Sequence, residues 1–407
     1  MDLVFKIRGV IKNYEWGKLG VNSMVAVLQR SADDNFKIMD DLPYSELWLG
    51  THDSGPATIP HLANKKLLDW LQMNPLSLGE NISKDSASSA GLPFLFKVLS
   101  VNKALSIQVH PDKQTASKLH KEFPQHYPDD NHKPELAIAL TNFKALCGFR
   151  PLNEIKAFLQ EITELQKIIN VDLVKSFLEK GDLRSVFTAL MTSSSSVYEA
   201  QILQIIENFK CNKYTSDLSM SVKDIFLQIC EQYPSDIGCV CIFFLNYVKL
   251  KSGEAIFLAA NEPHAYLSGD CIECMACSDN VVRAGLTPKF RDVQTLCSIL
   301  TYICKSAEEN MFVPQKDVND PFVLTYAPPV KEFAIDSITL PSDTIEYKLK
   351  TFQSASILLI IKGSGVSCYE KGEVNLNIGC ALFISANCDV IVKPSEELLM
   401  FRAYCLG

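Results

Sequence analysis

The chain has 407 residues, too many for one compact hydrophobic core, so we expect two or three domains. Hydrophobic residues make up 47% and charged residues 21% of the chain, as in an ordinary soluble globular protein. The formal net charge is −8, and the sequence lacks the clustered Lys and Arg that hold a phosphate backbone. Nucleic acid is therefore excluded as an expected partner.

The sequence also indicates a cytoplasmic protein. It does not open with a basic segment followed by an apolar one, and its longest apolar run, Cys239–Leu245, is too short to span a bilayer. We expect no membrane partner. Fourteen cysteines are scattered without a disulfide framework, and in a chain without an export signal we expect reduced thiols, many of them buried.

Residues 1–150 are predicted to consist mostly of strands, the first part of a catalytic jelly roll. Short apolar or alternating runs, broken by Gly, Pro and Asn turns, occur at Leu3–Val10, Pro93–Val101 and Leu105–His110. A helix is predicted around Lys65–Met73. The tripeptide Val101–Lys103 is typical of a hairpin tip, which would place Lys97 and Gln108 on adjacent strands.

Residues 151–235 change to a helical period. Apolar side chains recur at helical spacing at Ile155, Phe158, Leu159, Ile162 and Leu165, at Leu173, Phe177 and Leu178, and at Leu203, Ile205, Ile206 and Phe209. The run Thr192–Ser196 is predicted to be a loop between helices that also begins the next helix. We expect this segment to serve as scaffold.

Strand patterns return in residues 236–319. They cover Gly238–Val248, Glu254–Ala260 and Gly269–Ala276. Candidate metal ligands lie on both sides of the helical segment, so we expect the helices to be an insertion within one β domain. Such an insertion costs only modest loop-closure entropy if its ends emerge close together.

Residues 320–407 repeat part of this pattern. The run Gly253–Asn261 aligns with Gly379–Asn387 and keeps glycine, alanine, phenylalanine and asparagine in register. In this alignment His264 falls on Val390, so the second copy lacks that imidazole. We therefore expect a second, metal-free jelly roll at the C-terminal end.

Three segments carry candidate metal ligands. In an extended strand Gln108 and His110 point to the same face, and Pro111 ends the strand beside them. Glu135 opens another alternating run, and a third segment supplies His264. Two imidazoles, one carboxylate and one amide would form a four-ligand shell for zinc. A lone histidine near a strand end is more often structural, so this interpretation requires the segments to meet in space.

A cysteine motif competes with that metal site. Cys271, Cys274 and Cys277 have the spacing of a thiolate metal site. In a strand, however, Cys271 and Cys277 share a face with Glu273 while Cys274 points the other way, so the three thiols cannot converge. We interpret them as buried core residues and expect Glu273 to line a pocket.

Six segments together resemble a known family. They are Asn13–Gly17 (NYEWG), Glu46–His52 (ELWLGTH), Gln108–Lys113 (QVHPDK), His132–Glu135 (HKPE), Asn261–Tyr266 (NEPHAY) and Ser278–Asp292 (SDNVVRAGLTPKFRD). In this order, and over most of the chain, they resemble the type I, zinc-dependent mannose-6-phosphate isomerase family. The resemblance implies a mainly β fold, with two cupin-like jelly rolls and a helical domain.

The resemblance also implies an activity. The reaction is the reversible isomerisation of mannose 6-phosphate and fructose 6-phosphate through a cis-enediol, assisted by one zinc ion per chain. It would supply mannose 6-phosphate for GDP-mannose synthesis and glycosylation. The expected partner is a small sugar phosphate, and the expected state is a monomer.

Residue roles follow from the same resemblance. It implies that zinc is held by Gln108, His110, Glu135 and His264, and that Arg283 is the active-site arginine. With one charged ligand, the zinc complex would keep a formal charge near +1 and could act as a Lewis acid. We assign Arg283 to stabilising the charge of an enediolate or a phosphate, because a guanidinium is a poor proton acceptor.

The sequence does not decide which group is the catalytic base or which side chain binds the phosphate. Lys133, Glu273 and a zinc-bound water are candidates for the base. The phosphate needs a local positive site, for which the candidates are Lys97, Lys133, Arg283 and Lys289, with Lys289 favoured.

Two aromatic side chains complete the expected pocket. Trp16 and Tyr266 would wall the sugar, although core packing explains an aromatic residue equally well.

Two other functional classes fit parts of the pattern. Two histidines and a carboxylate in a barrel could hold iron(II) and activate oxygen. The fourth ligand and the nearby cations count against that class. A sugar-phosphate binding module without chemistry is the other alternative, and measuring turnover would decide it.

Overall fold

The structure is a computed structural model and describes residues 3–80, 82 and 91–406. Antiparallel sheets dominate both ends of the chain, and helices are concentrated in one stretch of the middle. The predicted class, mainly β with a helical insertion, is confirmed.

Twenty-six strands are present in the described residues. They are Val4–Ile7 (β1), Val10–Lys12 (β2), Lys18–Leu19 (β3), Pro43–Tyr44 (β4), Glu46–Gly50 (β5), Thr58–Ile59 (β6), Lys65–Lys66 (β7), Phe94–Val101 (β8), Ile107–Val109 (β9), Glu135–Ala139 (β10), Phe143–Phe149 (β11), Leu245–Leu250 (β12), Ala255–Leu258 (β13), His264–Ala276 (β14), Val282–Gly285 (β15), Met311–Phe312 (β16), Gln315–Lys316 (β17), Val323–Tyr326 (β18), Ala334–Leu340 (β19), Tyr347–Lys348 (β20), Ser356–Lys362 (β21), Gly365–Tyr369 (β22), Gly372–Leu376 (β23), Ala381–Ile384 (β24), Ile391–Pro394 (β25) and Leu398–Tyr404 (β26).

The α-helices of the same residues are Met24–Ala32 (α1), Leu67–Met73 (α2), Lys113–Glu122 (α3), Leu152–Glu161 (α4), Thr163–Ile169 (α5), Val171–Lys180 (α6), Leu183–Met191 (α7), Ser195–Lys210 (α8), Asp217–Gln232 (α9) and Val293–Ile299 (α10). Short 3₁₀ segments lie at Gly20–Asn22, Pro60–Leu62, Pro75–Leu78, Ile237–Phe243 and Glu308–Asn310. No helix of the described residues combines the length and the apolar character needed to cross a bilayer.

The strand β14 organises the sheets around the candidate site. It has 13 residues and belongs to two sheets, one ordered β16-β13-β10-β14-β8-β5-β2 and one ordered β12-β11-β14-β9-β15. Gly269, near its middle, has a φ of +116°, which a residue with a side chain rarely adopts. One strand therefore carries residues of both sheets to the space between them.

We expect Gly269→Ala to destabilise the fold by at least about 3 kcal/mol, since it adds a left-handed backbone penalty to an overpacked contact. A Cβ there would lie 2.5 Å from the carbonyl oxygen of Asn142 and 2.7 Å from Cα of Phe143. Gly253 is the matched control, because its φ is +87° but nothing lies within 4 Å of a Cβ. Urea unfolding should show a loss of only about 1 kcal/mol for Gly253→Ala; equal losses would contradict the close contact.

The hairpin predicted at Val101–Lys103 is wrong. Strands β8 and β9 do not pair with each other; β8 pairs antiparallel with residues 269–276 of β14, and β9 pairs with His264. The backbone N–H of Leu105 donates to the carbonyl of Tyr266 at 2.7 Å, which holds the connecting segment along β14 as well. Both segments thus use successive parts of one partner strand, an arrangement that local turn chemistry does not reveal.

The helical stretch extends from α4 to α9. The predicted helices are confirmed, and α8 begins at Ser195, within the predicted loop and helix start. Local capping fixes several boundaries: the side chain of Asn170 accepts from two N–H groups at the start of α6, and Asp182 accepts from Ser185 N–H at the start of α7.

The strand predicted at Gly238–Val248 is wrong in its first half. Residues Ile237–Phe243 form a 3₁₀ helix, and the strand begins only at Leu245. The rings of Phe158 and Phe226, from α4 and α9, each lie 5.2 Å from the ring of Phe243. The apolar run is buried because helices surround it, and its composition alone does not distinguish this environment from a sheet.

The C-terminal part has two further sheets, ordered β1-β24-β21-β26-β19-β18-β17 and β20-β25-β22-β23. Strand β1 from the start of the chain lies at the edge of the first sheet and pairs with β24, Val4 opposite Ile384. The predicted segment 1–150 assigned this strand to the first jelly roll. The structure instead places it in the C-terminal sheet.

The short internal repeat has a structural counterpart. Gly253 and Gly379 both have positive φ and precede β13 and β24, and the two asparagines that close the repeat, Asn261 and Asn387, also have positive φ. Val390 is buried at the position that aligned with His264. The two β systems thus share this strand and its turns, while only the first carries the imidazole.

Candidate metal centre and substrate pocket

Three buried side chains meet at one point. His110 follows β9, Glu135 opens β10 and His264 opens β14. One ligand atom from each lies within 4.8 Å of the others, and all three residues are buried. Since β10 and β9 both pair with β14, the sheet register itself brings the three segments together.

A further contact ties the two histidine segments. The backbone N–H of Asn261 donates to the carbonyl of His110 at 2.8 Å, and the Asn261 side chain donates to Asp112 at 2.9 Å. Asn261 holds the positive φ described above. The turn before His264 is thereby fastened to the strand end that carries His110.

Both imidazoles present Nε2 toward Glu135. Nδ1 of His110 lies 2.8 Å from the carbonyl of Asn280, and Nδ1 of His264 lies 3.1 Å from the carbonyl of Glu262. A carbonyl only accepts, so each Nδ1 carries the proton and each Nε2 keeps a lone pair. Burial lowers the pKa of His110 to about 4, which keeps this ring neutral.

The Glu135 carboxylate completes this cluster. Its oxygens lie 3.4 Å from Nε2 of His110 and 3.6 Å from Nε2 of His264. Burial opposes its ionisation, but the positive charge of Lys133, 3.2 Å from Oε1, favours the carboxylate, and the pKa of Glu135 lies well below its usual range. The cluster therefore offers one negative charge and two neutral nitrogen donors.

This donor set fits a metal cation. Nε2 of His110 and Oε2 of Glu135 are buried without a hydrogen-bond partner, although buried polar atoms are normally satisfied. Both atoms carry lone pairs, so they do not attract each other across the short gap unless a positive charge lies between them. Nitrogen and carboxylate ligands in this number are those that zinc prefers.

Gln108 stands beside the cluster. Its Nε2 lies 3.2 Å from Nε2 of His264, and Ser106 Oγ donates to its Oε1 at 3.1 Å. Rotating the Gln108 amide by half a turn would exchange the positions of its nitrogen and oxygen. The oxygen would then be a fourth, neutral ligand atom beside His110, Glu135 and His264.

The sheet also sets Arg283 next to these residues. In the ladder β14-β9-β15, His264 is opposite Gln108, and Gln108 is opposite Arg283. Directly paired residues project on the same face of a sheet. The arginine is therefore one strand away from the amide and two strands from the imidazole.

A cavity of about 490 Å³ opens above the cluster. Nine of the eleven predicted site residues line it, namely Trp16, Lys97, Gln108, Lys133, Glu135, Tyr266, Glu273, Arg283 and Lys289. The other two, His110 and His264, are buried beside Glu135. The structure thus brings every predicted site residue to one place.

Lys97 is paired with a buried carboxylate at the wall of the cavity. Its Nζ lies 2.9 Å from Oε2 of Glu273, and Tyr266 donates its hydroxyl to Oε1 of the same carboxylate at 2.9 Å. Burial, partly offset by the Lys97 charge, raises the pKa of Glu273. Lys97 lines the cavity as predicted, and its charge is balanced there by the buried carboxylate of Glu273; its role as a phosphate ligand stays a prediction.

Four further cations line the cavity, Lys103, Lys133, Arg283 and Lys289, and Nζ of Lys103 lies over the ring of Tyr233. Lys133 is paired with Oε1 of Glu135 at 3.2 Å. Arg283 and Lys289 form no ion pair with any residue that the structure describes, and burial lowers the pKa of both. Two neighbouring, uncompensated cations make this side of the cavity the natural place for an anion.

Sequence reasoning missed several supporting residues. Asn280 and Glu262 hold the two imidazoles through their backbone carbonyls, which no side-chain pattern reveals. Glu46 and Trp48 line the cavity beside Lys97, and the indole of Trp48 donates to the carboxylate of Glu46. Their only signal was that both lie in the segment ELWLGTH.

The cysteine motif does not converge. Cys271 and Cys274 are buried in different hydrophobic clusters, and Cys277 packs against a third. All fourteen cysteines lie in the part of the chain that the structure describes, and none of them is in a disulfide there. The interpretation as buried core residues is confirmed for Cys271 and Cys274, whereas Cys277 is only partly buried.

Comparison with known proteins gives two family matches. The model for the catalytic domain of type I phosphomannose isomerase matches residues 4–152, and the model for the helical insertion domain of the same family matches residues 158–245. Both matches fall on regions that the structure shows as sheet and helix, respectively.

Individual relatives agree with this assignment. The chain is 45% identical to mannose-6-phosphate isomerase of Homo sapiens, with 99% of each chain covered, and 41% identical to mannose-6-phosphate isomerase 2 of Arabidopsis thaliana, covering 98% of this chain and 92% of that one. It also resembles the crystal structure of mannose 6-phosphate isomerase from Salmonella typhimurium bound to substrate and zinc. That structure has a TM-score of 0.84 and 29% identity and covers 99% of this chain and 100% of its own.

Proposed function

Since this chain belongs to the type I phosphomannose isomerase family, we propose that it interconverts mannose 6-phosphate and fructose 6-phosphate. The observation that carries the proposal is the pairing of a buried two-histidine and carboxylate cluster with two uncompensated cations in one cavity. A phosphorylated sugar needs both, a polarising centre at one end and a positive site at the other.

We propose zinc as the metal, one ion per chain, held by His110, Glu135, His264 and Gln108. All four side chains come from one chain, which suits a monomer. When bound, zinc supplies Lewis acidity toward a carbonyl or hydroxyl oxygen of the sugar. The hydrogen bonds from Nδ1 to backbone carbonyls orient both imidazoles before any ion arrives.

The phosphate is proposed to bind at Arg283 and Lys289. Neither side chain forms an ion pair within the described residues, whereas Lys97 and Lys133 are paired with carboxylates, and Lys103 lies over the ring of Tyr233. Arg283 lies one strand from Gln108, so it is also close enough to the metal cluster to stabilise charge that develops on the sugar. Trp16 and Tyr266 form part of the wall between the two ends.

The reaction requires a group that moves a proton between C2 and C1 of the sugar through a cis-enediol. Two side chains of the cavity are suited to assist this step, Glu273 by accepting the proton and Lys133 by its charge. Glu273 has a raised pKa and receives hydrogen bonds from Tyr266 and Lys97, which hold its carboxylate in place. Lys133 lies against Glu135 and can stabilise the negative charge of the same intermediate.

The proposed role in the cell follows from the reaction. Its product, mannose 6-phosphate, would supply GDP-mannose synthesis and glycosylation in the cytoplasm.

NMR of mannose 6-phosphate with the purified protein tests the proposal. We expect fructose 6-phosphate to appear, the conversion to stop after chelation, and the rate to return when zinc is added. Oxygen consumption with iron(II) and no isomerisation would favour a facial-triad oxygenase instead. Binding of the sugar phosphate without turnover by zinc-loaded, folded protein would indicate a binding module.

A further inference from the structure

The segment that carries Lys289 is a loop of residues 286–291, which we call the phosphate loop. It follows β15, which bears Arg283, and ends before α10. Residues 286–289 line the cavity. The position of Lys289 therefore depends on how this loop is held.

Both ends of the phosphate loop are attached to one carboxylate, that of Asp236. Oδ1 of Asp236 accepts from the backbone N–H of Leu286 at 2.9 Å, and Oδ2 accepts from the guanidinium of Arg291 at 2.6 Å. Asp236 is 8% exposed and does not line the cavity. Its carboxylate thus contacts the loop without being among the residues that line the cavity.

Arg291 carries this restraint into the loop itself. Its guanidinium also donates to the carbonyl of Thr287, from Nη2 at 2.9 Å and from Nε at 3.2 Å. These contacts, from Asp236 to Arg291 and from Arg291 to Thr287, thus span the loop. Lys289 lies between Thr287 and Arg291 in the sequence. A planar guanidinium that binds a buried carboxylate and a carbonyl at once is a rigid connection.

The backbone at the start of the loop needs this support. Leu286 has a φ of +54°, an unfavourable conformation for a residue with a side chain. Gly238 donates its N–H to Oδ1 of Asp236 at 2.7 Å, and a Cβ on Gly285 would lie 2.7 Å from Cα of Gly238. Two glycines therefore allow the loop to approach the carboxylate closely enough for the Leu286 bond to form.

We propose that Asp236 is a positioning residue for phosphate binding: it holds the phosphate loop so that Lys289 and Arg283 face one anion. The inference rests on the proposed function in placing the phosphate at these two cations. Asp236 follows the last long helix of the insertion, α9, so its contacts join the end of the helical segment to the loop that carries Lys289.

The test compares wild-type protein with Asp236→Asn. Asparagine keeps an oxygen for Leu286 and Gly238 but loses the charge that holds Arg291. We expect KM for mannose 6-phosphate to rise about 10- to 100-fold, while kcat changes less than about 3-fold and zinc content is unchanged. This is the pattern expected when the ground state and the transition state are bound more weakly by the same amount. The inhibition constant of inorganic phosphate should rise by the same factor as KM.

Asp389→Asn is the matched control, because Asp389 is an exposed aspartate that also pairs with a lysine, Lys348. It should leave KM, kcat and phosphate inhibition at wild-type values. If Asp236→Asn fails to fold, Arg291→Gln removes only the charged contact at the outer end of the loop and should raise both constants in the same direction.

Three results would overturn the inference. They are an unchanged KM and phosphate inhibition constant in a folded Asp236→Asn protein, a fall in kcat alone, and a loss of zinc. Failure of the proposed function is a separate outcome, because wild-type protein would then not convert mannose 6-phosphate. Calorimetry with inorganic phosphate would still show whether anion binding depends on Asp236.

Discussion

Replacing Glu135 with glutamine is expected to remove the bound zinc and to reduce turnover by roughly 10³-fold or more. The substitution keeps the size of the side chain and removes the only negative charge among the four proposed ligands. The Lewis acidity lost with the metal stabilises transition-state charge by several kcal/mol. A loss of about 4 kcal/mol corresponds to roughly a 10³-fold lower rate.

Metal analysis and the NMR conversion assay on the same preparation test this expectation. Glu373→Gln is the matched control, since Glu373 is an exposed glutamate on β23, in the C-terminal part. The control should keep one zinc per chain and full turnover. A Glu135→Gln protein that retains both would show that the carboxylate is not a ligand, and that the unpartnered lone pairs need another explanation.

The second large effect is expected from Arg283→Ala. We expect kcat to fall about 10²- to 10³-fold, the usual cost of removing one preorganised group that stabilises transition-state charge. Zinc content should stay at one per chain, because Arg283 neighbours Gln108 in the sheet without belonging to the cluster itself. Turnover and metal content therefore separate the role of this arginine from that of the ligands.

Two further variants sharpen the Arg283 test. Arg283→Lys keeps the charge but not the planar fork, so it should recover part of the lost rate. Arg30→Ala removes an exposed arginine of α1 and should change neither rate nor metal content. Loss of zinc from Arg283→Ala would mean that its contact with the strand of Gln108 supports the metal site, and its assigned role would be wrong.

Much of the metal centre could be predicted from the sequence because strands impose simple geometry. Alternation places Gln108 and His110 on one face, and a proline beside them marks the strand end. His264 and Glu135 each open a strand with its own pattern. The resemblance of whole segments supplied what periodicity lacks, namely that these strands are neighbours.

Other features could not be predicted, because they depend on pairings between distant segments. A single sequence does not show that β8 and β9 share β14 as a partner, so a local turn was the natural expectation at Val101–Lys103. It also does not show that Lys97 forms an ion pair with Glu273. Asp236 gave no signal, since its contacts are with the backbone and with one arginine far along the chain.

The pairing of β1 with β24 has a consequence for synthesis of the protein. The ribosome makes β1 early, but its partner strand appears only when the C-terminal sheet is nearly finished. Until then Val4, Phe5 and Ile7, all buried in the finished fold, have no sheet to join. We therefore expect nascent chains to keep an apolar segment exposed throughout elongation, which makes them clients for chaperones and makes C-terminally truncated products prone to aggregate.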